Sequence, residues 1–292
     1  MIKIILIIVA VFIVYCLIEM IRELRDFRVT KYRICSQKLN GIKREKKIIF
    51  LSDLHNRMYG EENERLLESI RNQHPDLILI GGDMLVRKDG NSYDKTVHFL
   101  AKLPGICPVY CANGNHEQKL KELPDKYEQS YEEYKKALTA SGIHMLENAS
   151  ETVKLEEVPV KLSGLEIPLG AYARFGKKEL SLKEITDRIG EHGDDYQILL
   201  AHHPGYIQEY LEYGADLILS GHYHGGVMQL PGIGGVISPD FTLFPKYSGG
   251  IYREGAQTVV VSRGLGTHSV PVRLWNWPEL IVLELSGTSE EM

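Results

Sequence analysis

Residues 217–231 read LILSGHYHGGVMQLP, an apolar, β-prone run that stops at two histidines, His222 and His224, and a pair of glycines. One His-x-His pair means little alone, because a buried histidine is ordinarily a satisfied core group. Its meaning depends on partners elsewhere in the chain. Working outward, the same design recurs four times: KIIFLSDLH (47–55) ends at Asp53 and His55, DLILIGGD (76–83) at Asp83, CPVYCANGNHE (107–117) at Asn115 and His116, and YQILLAHHP (196–204) at His202 and His203. Short apolar runs rich in β-branched residues and bounded by Gly, Asp or Asn read as buried strands. Each of the five ends in groups that can bind a metal.

Helical patterns fall between these runs. Residues 61–74 carry Leu66, Leu67 and Ile70 on one face, residues 124–142 stop at Gly142, and residues 180–190 form a third helix. Strand–helix alternation predicts βαβ units and a largely parallel sheet, with functional groups gathered beyond the carboxyl ends of the strands. Period 2 predicts that Asp53 and His55 share one face of an extended segment, and likewise His222 and His224. Gly81 and Gly82 let backbone approach a crowded centre at Asp83.

Two carboxylates, an amide oxygen and several imidazoles form a mixed O/N donor set without thiolate. It suits Mn, Fe or Zn rather than Ca or Mg. The donors are too many for one ion, so two divalent metal ions sharing a carboxylate are expected. Two such ions bring +4 and Asp53 with Asp83 return −2, leaving a centre that attracts phosphate esters and acidifies a bridging water into a hydroxide nucleophile. His74, His98, His144 and His192 lack this context and are expected to be structural or surface residues.

The remaining chain sets boundaries. With 292 residues, 43% hydrophobic and 25% charged, it can bury a sizeable core, and a net charge of −5 gives no footprint of a nucleic-acid binder. The four cysteines show no paired spacing and are expected to be free thiols. MIKIILIIVAVFIVYCLIEM (1–20) holds an uninterrupted apolar run over residues 4–18, and residues 2–21 as a helix reach about 30 Å, enough to span a bilayer. No A-x-A site follows it and no twin arginine precedes it, which favours an uncleaved anchor over a signal peptide. The expected organisation is a transmembrane anchor (1–21), a basic juxtamembrane linker (22–44), a catalytic domain (45–287) and a polar tail (288–292). Arg22, Arg25, Arg28, Lys31, Arg33 and Lys38 follow the span, so the positive-inside rule favours a cytoplasmic domain at the cell membrane.

With D-x-H, G-D, G-N-H-E, H and G-H-x-H in order, residues 45–285 resemble the calcineurin-like metallophosphoesterase superfamily. That resemblance implies a four-layer α/β/β/α sandwich. It implies that Asp53, His55 and His224 hold one metal, that Asn115, His202 and His222 hold the other, and that Asp83 bridges them. His116 would be the catalytic acid, donating to a phosphate oxygen or the leaving alkoxide, with Glu117 either orienting it or serving as a turn carboxylate. The ending with Ser262-Arg263-Gly264, Gly266, Pro271, Arg273, Asn276, Pro278 and Glu279 is similar to membrane-anchored bacterial phosphoesterases related to UDP-2,3-diacylglucosamine pyrophosphatases. The expected substrate is then a phosphorylated small molecule or a lipid-linked or nucleotide-sugar phosphate. Tyr223 and Val227-Met228 depart from the commoner residues there and touch only the pocket lining. Arg253, Arg263 and Arg273 are candidate phosphate contacts by chemistry, and His268 lies in the same loop region. The alternatives from other classes are a non-catalytic scaffold on this fold, or a lipid-headgroup binder with structural metals.

Overall fold

The computed structural model describes residues 1–86, 92–127, 130–173, 178–267 and 271–288. His268 lies outside the described residues, as do residues 289–292 of the expected tail. The chain opens with α1 (Ile2–Arg25) and β1 (Arg28–Cys35), then β2 (Lys46–Leu51), α2 (Glu64–Gln73), β3 (Leu77–Ile80), α3 (Asp94–Leu100) and β4 (Val109–Cys111). It continues with α4 (Asn115–Glu122), α5 (Tyr131–Ala140), β5 (Ile143–Met145), β6 (Ala149–Leu155), β7 (Val158–Leu165), α6 (Leu182–Ile189), β8 (Tyr196–Ala201) and α7 (Ile207–Tyr213). The last elements are β9 (Leu217–Ser220), the short pair β10 (Gln229–Leu230) and β11 (Gly234–Gly235), β12 (Gly250–Glu254), β13 (Gln257–Val261) and β14 (Glu279–Ser286).

Two six-stranded sheets result, ordered β1-β14-β2-β3-β4-β5 and β12-β13-β9-β8-β7-β6. Pairing is parallel through β2-β3-β4-β5 and through β13-β9-β8-β7, while β14 runs antiparallel to β2, β12 to β13 and β6 to β7. The strand runs are continuously apolar because both faces are covered. Ile49, Leu51, Ile78 and Ile80 face a core shared with Leu66, Ile70, Phe99 and Leu138 of α2, α3 and α5. Their neighbours Ile48, Phe50, Leu77 and Leu79 face Ile198, Leu200, Leu217 and Leu219 of the other sheet. On the far side, Leu199 and Ile218 pack on Ile185, Ile207 and Tyr210 of α6 and α7. Strand alternation thus sorts side chains into three cores between four layers, α/β/β/α.

Two boundaries differ from expectation. The helix foreseen over 124–142 begins at α5: Pro124 starts only a 3₁₀ turn, Tyr127 is extended, and the Ser130 hydroxyl accepts the Glu133 amide as a true N-cap. The stretch 22–44, foreseen as a linker, contains β1, which pairs in parallel with β14 along its whole length. Its alternating charges, RVTKYRIC, are those of an edge strand exposed on one side, and they hid its β character. The helix α1 is long and apolar enough to cross a membrane, and Glu23, near its end, is buried against the domain.

Candidate metal centre

Five of the strand ends identified in the sequence converge at one edge of the two sheets. Asp53 and His55 follow β2, Asp83 follows β3, Asn115 and His116 open α4 after β4, His202 follows β8, and His222 and His224 follow β9. The loops are laced to one another: Asp53 N donates to Gly82 O at 3.0 Å, His55 N to Asp83 O at 3.1 Å, and Gly221 N to His202 O at 3.0 Å. Gly82 is required where it stands, because it is left-handed and a Cβ there would overlap the Gly114 backbone.

The expected extended geometry of the D-x-H and H-x-H pairs does not occur. β2 stops at Leu51 and β9 at Ser220, and Asp53 (φ 53°), His55 (φ 49°), Asp83 (φ 53°), His222 (φ 64°) and His224 (φ 48°) all adopt left-handed backbone. Each such residue costs of order 1 kcal/mol, and the interloop hydrogen bonds hold it there. Left-handed residues alternating with right-handed or extended ones, rather than the strand pleat, turn both side chains of each pair inward.

The inward atoms fall into three groups whose members lie within 4.8 Å of one another: Asp53, His55 and His224; His55, Asp83 and His116; Asp83, His202 and His222. His224 Nε2 is 3.2 Å from Asp53 Oδ1, and His202 Nε2 is 3.1 Å from Asp83 Oδ2. His55 Nε2 lies 3.8 Å from Asp53 Oδ1 and 3.9 Å from Asp83 Oδ2. Asp83 therefore belongs to two groups. Its Oδ1 is occupied by the His116 amide at 2.7 Å, leaving Oδ2 to face the centre.

Tautomers are fixed from behind. His202 Nδ1 meets the Gly81 carbonyl at 2.7 Å and His224 Nδ1 the Gly266 carbonyl at 3.2 Å. A carbonyl only accepts, so each Nδ1 carries a proton and each Nε2 is the nitrogen turned inward. Burial would raise both aspartates, yet the imidazoles of His224 and His202 around them outweigh it and hold Asp53 and Asp83 well below the usual carboxylate range. Burial alone would lower His202, but Asp83 and Asp53 push it up to about 10. His222 goes down, through burial and then the nearby His203 and His202.

This is the environment of a cation site. Asn115 Oδ1 and His222 Nδ1 are buried and make no hydrogen bond among the described residues, and the equally buried Asp83 Oδ2 and His202 Nε2 face each other at 3.1 Å. Such groups are rare in folded proteins and are explained by a ligand or ion. Four lone-pair donors of mixed O/N type match a divalent metal of the borderline class.

With the fold and this constellation in hand, the likeness to known proteins is decisive. The family model for calcineurin-like phosphoesterases matches residues 46–226, more than half of the chain. The chain belongs to the calcineurin-like phosphoesterase family. It is similar to the uncharacterized metallophosphoesterase YkuE of Bacillus subtilis, with 30% identity over 83% of this chain and 80% of that protein. It is also similar to the phosphodiesterase YaeI of Escherichia coli, 25% identical over 82% of each chain. The UDP-2,3-diacylglucosamine pyrophosphatase LpxG of Chlamydia muridarum is 24% identical over 81% of this chain and 82% of its own length.

Other residues of this family member take roles the sequence left open. His202 and not His203 joins the centre; His203 Nδ1 accepts the Gly205 amide at 3.0 Å and caps the following turn. Glu117 is the turn carboxylate: it accepts amides of Asp83, Met84 and Gly114 at 2.8, 2.8 and 3.0 Å, and burial, then Asp83, raise it to about 7. The Tyr223 ring lies 5.9 Å from that of His222 and 5.5 Å from that of His203, and its hydroxyl 3.4 Å from Asp240 Oδ2.

Two of the three arginines, Arg253 and Arg273, are engaged elsewhere. Arg253 lies at the opposite end of the second sheet, bonded to Thr258 Oγ1 and to the Arg33 carbonyl at 2.6 Å. Arg273 is buried and its guanidinium donates to the carbonyls of Arg263, Gly264, Gly266 and Asn276. It acts as a clamp on the loop behind His224, not as a phosphate contact. Arg263 lines an open pocket of about 460 Å³ with Trp275 and Lys246, outside the three donor groups. Two contributors had escaped notice. Tyr172 follows β7, a strand end with no polar cluster to mark it, and its ring lies 5.2 Å from that of His222 and 5.0 Å from that of His203. Asn276 Nδ2 donates to the His224 carbonyl at 2.6 Å; it appears in the sequence only as part of the C-terminal motif.

Proposed function

We propose that this chain is a membrane-anchored phosphoric ester hydrolase that uses two divalent ions. Asp53, His55 and His224 hold one ion, Asn115, His202 and His222 hold the other, and Asp83 is shared. The observation that carries the reading is the convergence of buried donor atoms from four separate loops, Asn115 Oδ1 and His222 Nδ1 among them unbonded, with Asp83 common to two donor groups. Bound manganese, iron or zinc would supply Lewis acidity toward a phosphoryl oxygen and toward water. The chain itself supplies orientation and proton transfer. Backbone carbonyls hold the rings of His202 and His224 with Nε2 inward, so neither ring needs to reorient on loading. His116, whose ring centroid lies 4.9 Å from that of His55, is placed to give a proton to the departing alkoxide.

The names of two similar proteins, a phosphodiesterase and a UDP-2,3-diacylglucosamine pyrophosphatase, support a diester or pyrophosphate bond in a lipid-linked or nucleotide-sugar phosphate. The apolar α1 supports anchoring, and the basic residues after it favour a cytoplasmic domain. The test is the purified full chain in detergent, with metals counted and hydrolysis followed on a chromogenic monoester, a diester and a nucleotide-sugar pyrophosphate. Two ions per chain are expected, and His116→Ala should lower kcat by about 10²–10⁴-fold while metal content holds. One ion or none, or a His116→Ala enzyme as fast as the parent on every substrate, refutes the assignment.

A further inference from the structure

The chain beyond His224 does not simply leave the metal centre. Residues 228–246 fold back beside it and are pinned step by step: Gln229 N donates to Leu274 O at 3.1 Å, Val236 N to Met228 O at 3.0 Å, and Phe244 N to Val236 O at 3.0 Å. Their root belongs to the site. Ile237 N donates to the Gly226 carbonyl at 3.3 Å, and the Tyr223 hydroxyl, from between the two histidines, faces Asp240. The outer edge of this ordered segment is apolar: Ile233, Phe241, Leu243 and Phe244 are between 53% and 65% exposed. Large apolar side chains gathered on a pinned loop mark a surface that meets an apolar partner.

The position of α1 identifies that partner. Phe12, midway along the apolar helix, has its ring 6.5 Å from that of Trp275, and Leu274 is the residue to which the loop's first pin is made. At the end of the helix, Glu23 Oε2 accepts the Asn276 amide at 2.9 Å, while Arg28 and Arg22 lie over the Trp277 ring at 3.9 and 5.7 Å. The helix therefore meets this face at two places, Glu23 and Phe12, about 16 Å apart along its axis. A helix that spans a bilayer brings the Trp275 face to the membrane with it. Aromatic rings beside arginines are what an interfacial belt requires. Lys246 and Arg263 line the open pocket with Trp275, paired with Glu254 at 2.7 Å and with Glu279 at 3.9 Å.

We propose that residues 228–246, together with Trp275, form a lip that rests in the membrane interface, so that the metal centre opens at the bilayer surface. The occupant is the lipid bilayer itself. The inference rests on the anchoring part of the proposed function, but not on the hydrolytic chemistry.

The chain has two tryptophans, Trp275 and Trp277, which makes the lip directly readable. In a Trp275→Phe, Trp277→Phe background, Phe244→Trp reports the lip and Phe12→Trp reports the helix. Full-length protein is reconstituted into vesicles of phosphatidylcholine and phosphatidylglycerol, with plain or bromine-labelled acyl chains. Metal content and melting temperature confirm that each variant is folded. Bromine should quench the Phe244→Trp emission about twofold or more, as expected for a side chain buried at the headgroup–acyl boundary, and quench Phe12→Trp as well. Quenching of Phe12→Trp with identical Phe244→Trp emission in both lipids overturns the lip and leaves the anchor standing. No quenching at either position overturns the anchor, and the lip with it; hydrolysis measured in the same vesicles reports separately on the metal chemistry.

Discussion

Beyond the carboxyl ends of β2, β3, β8 and β9, two aspartates and four imidazoles crowd a buried space. At the other end of β9 and β13, Lys38, Asp216, Arg253 and Thr258 meet in an open cleft of about 550 Å³. The open end is self-sufficient. Lys38 Nζ reaches Asp216 Oδ2 at 2.9 Å, the same carboxylate oxygen accepts the Gln197 amide at 2.9 Å, and Arg253 is held by Thr258 and Arg33. The buried end is incomplete by itself, with Asn115 Oδ1 and His222 Nδ1 unbonded and five of the expected ligands in left-handed backbone. Charge alone therefore says little about function. What separates the two ends is whether the chain's own groups satisfy each other once water is excluded.

The sharpest way to break that contrast is Asp83→Asn. The change keeps volume and removes the charge common to two donor groups. Replacing a residue behind a ligand typically costs about 10–100-fold in metal affinity or activity, so a shared ligand should cost more than about 100-fold in kcat/KM. Metal analysis should show fewer than two ions per chain. Retention of both ions at full activity would show that the two groups are independent.

The same contrast explains what the sequence disclosed. Strand ends carrying two or more metal-capable groups were visible because chemistry and position coincided, and the alternation of Ile78 and Ile80 against Leu77 and Leu79 follows once a strand is covered on both faces. The left-handed turns were not visible: Asp53 and His55 look like pleat partners, and only the hydrogen bonds of neighbouring loops select the other geometry. β1 was hidden because an exposed edge strand has no apolar run. Tyr172 was hidden because an aromatic wall needs no particular spacing from the ligands it covers. Three arginines with the right chemistry for phosphate went to three different environments, since a guanidinium has five donors that buried carbonyls can also satisfy.

Arg273 tests the border between the two kinds of satisfaction. Its guanidinium, lowered to about 10 by burial, holds the carbonyls of Arg263, Gly264, Gly266 and Asn276, and the Gly266 carbonyl in turn fixes His224 Nδ1. Arg273→Met leaves buried carbonyls unpaired, so stability should fall by about 3 kcal/mol in denaturant unfolding. Metal affinity should fall about 10–100-fold in a zinc or manganese titration, with kcat largely recovered at saturating metal. A phosphate-binding arginine would behave differently, raising KM and leaving metal affinity untouched. That second pattern would return Arg273 to the substrate.

At the far end of the sheet the expected effect is smallest. Arg253→Ala removes two hydrogen bonds made at the surface, and water can replace both. Its loss should cost about 1 kcal/mol or less in stability and leave kcat, KM and metal content unchanged. A rise in KM for a phosphorylated substrate would mean that the open cleft takes part in binding, although it lies at the opposite end of β9 from His222. A silent Arg253→Ala beside an Arg273→Met that is crippled in metal binding would show that two arginines with equal claims in the sequence are separated by burial alone.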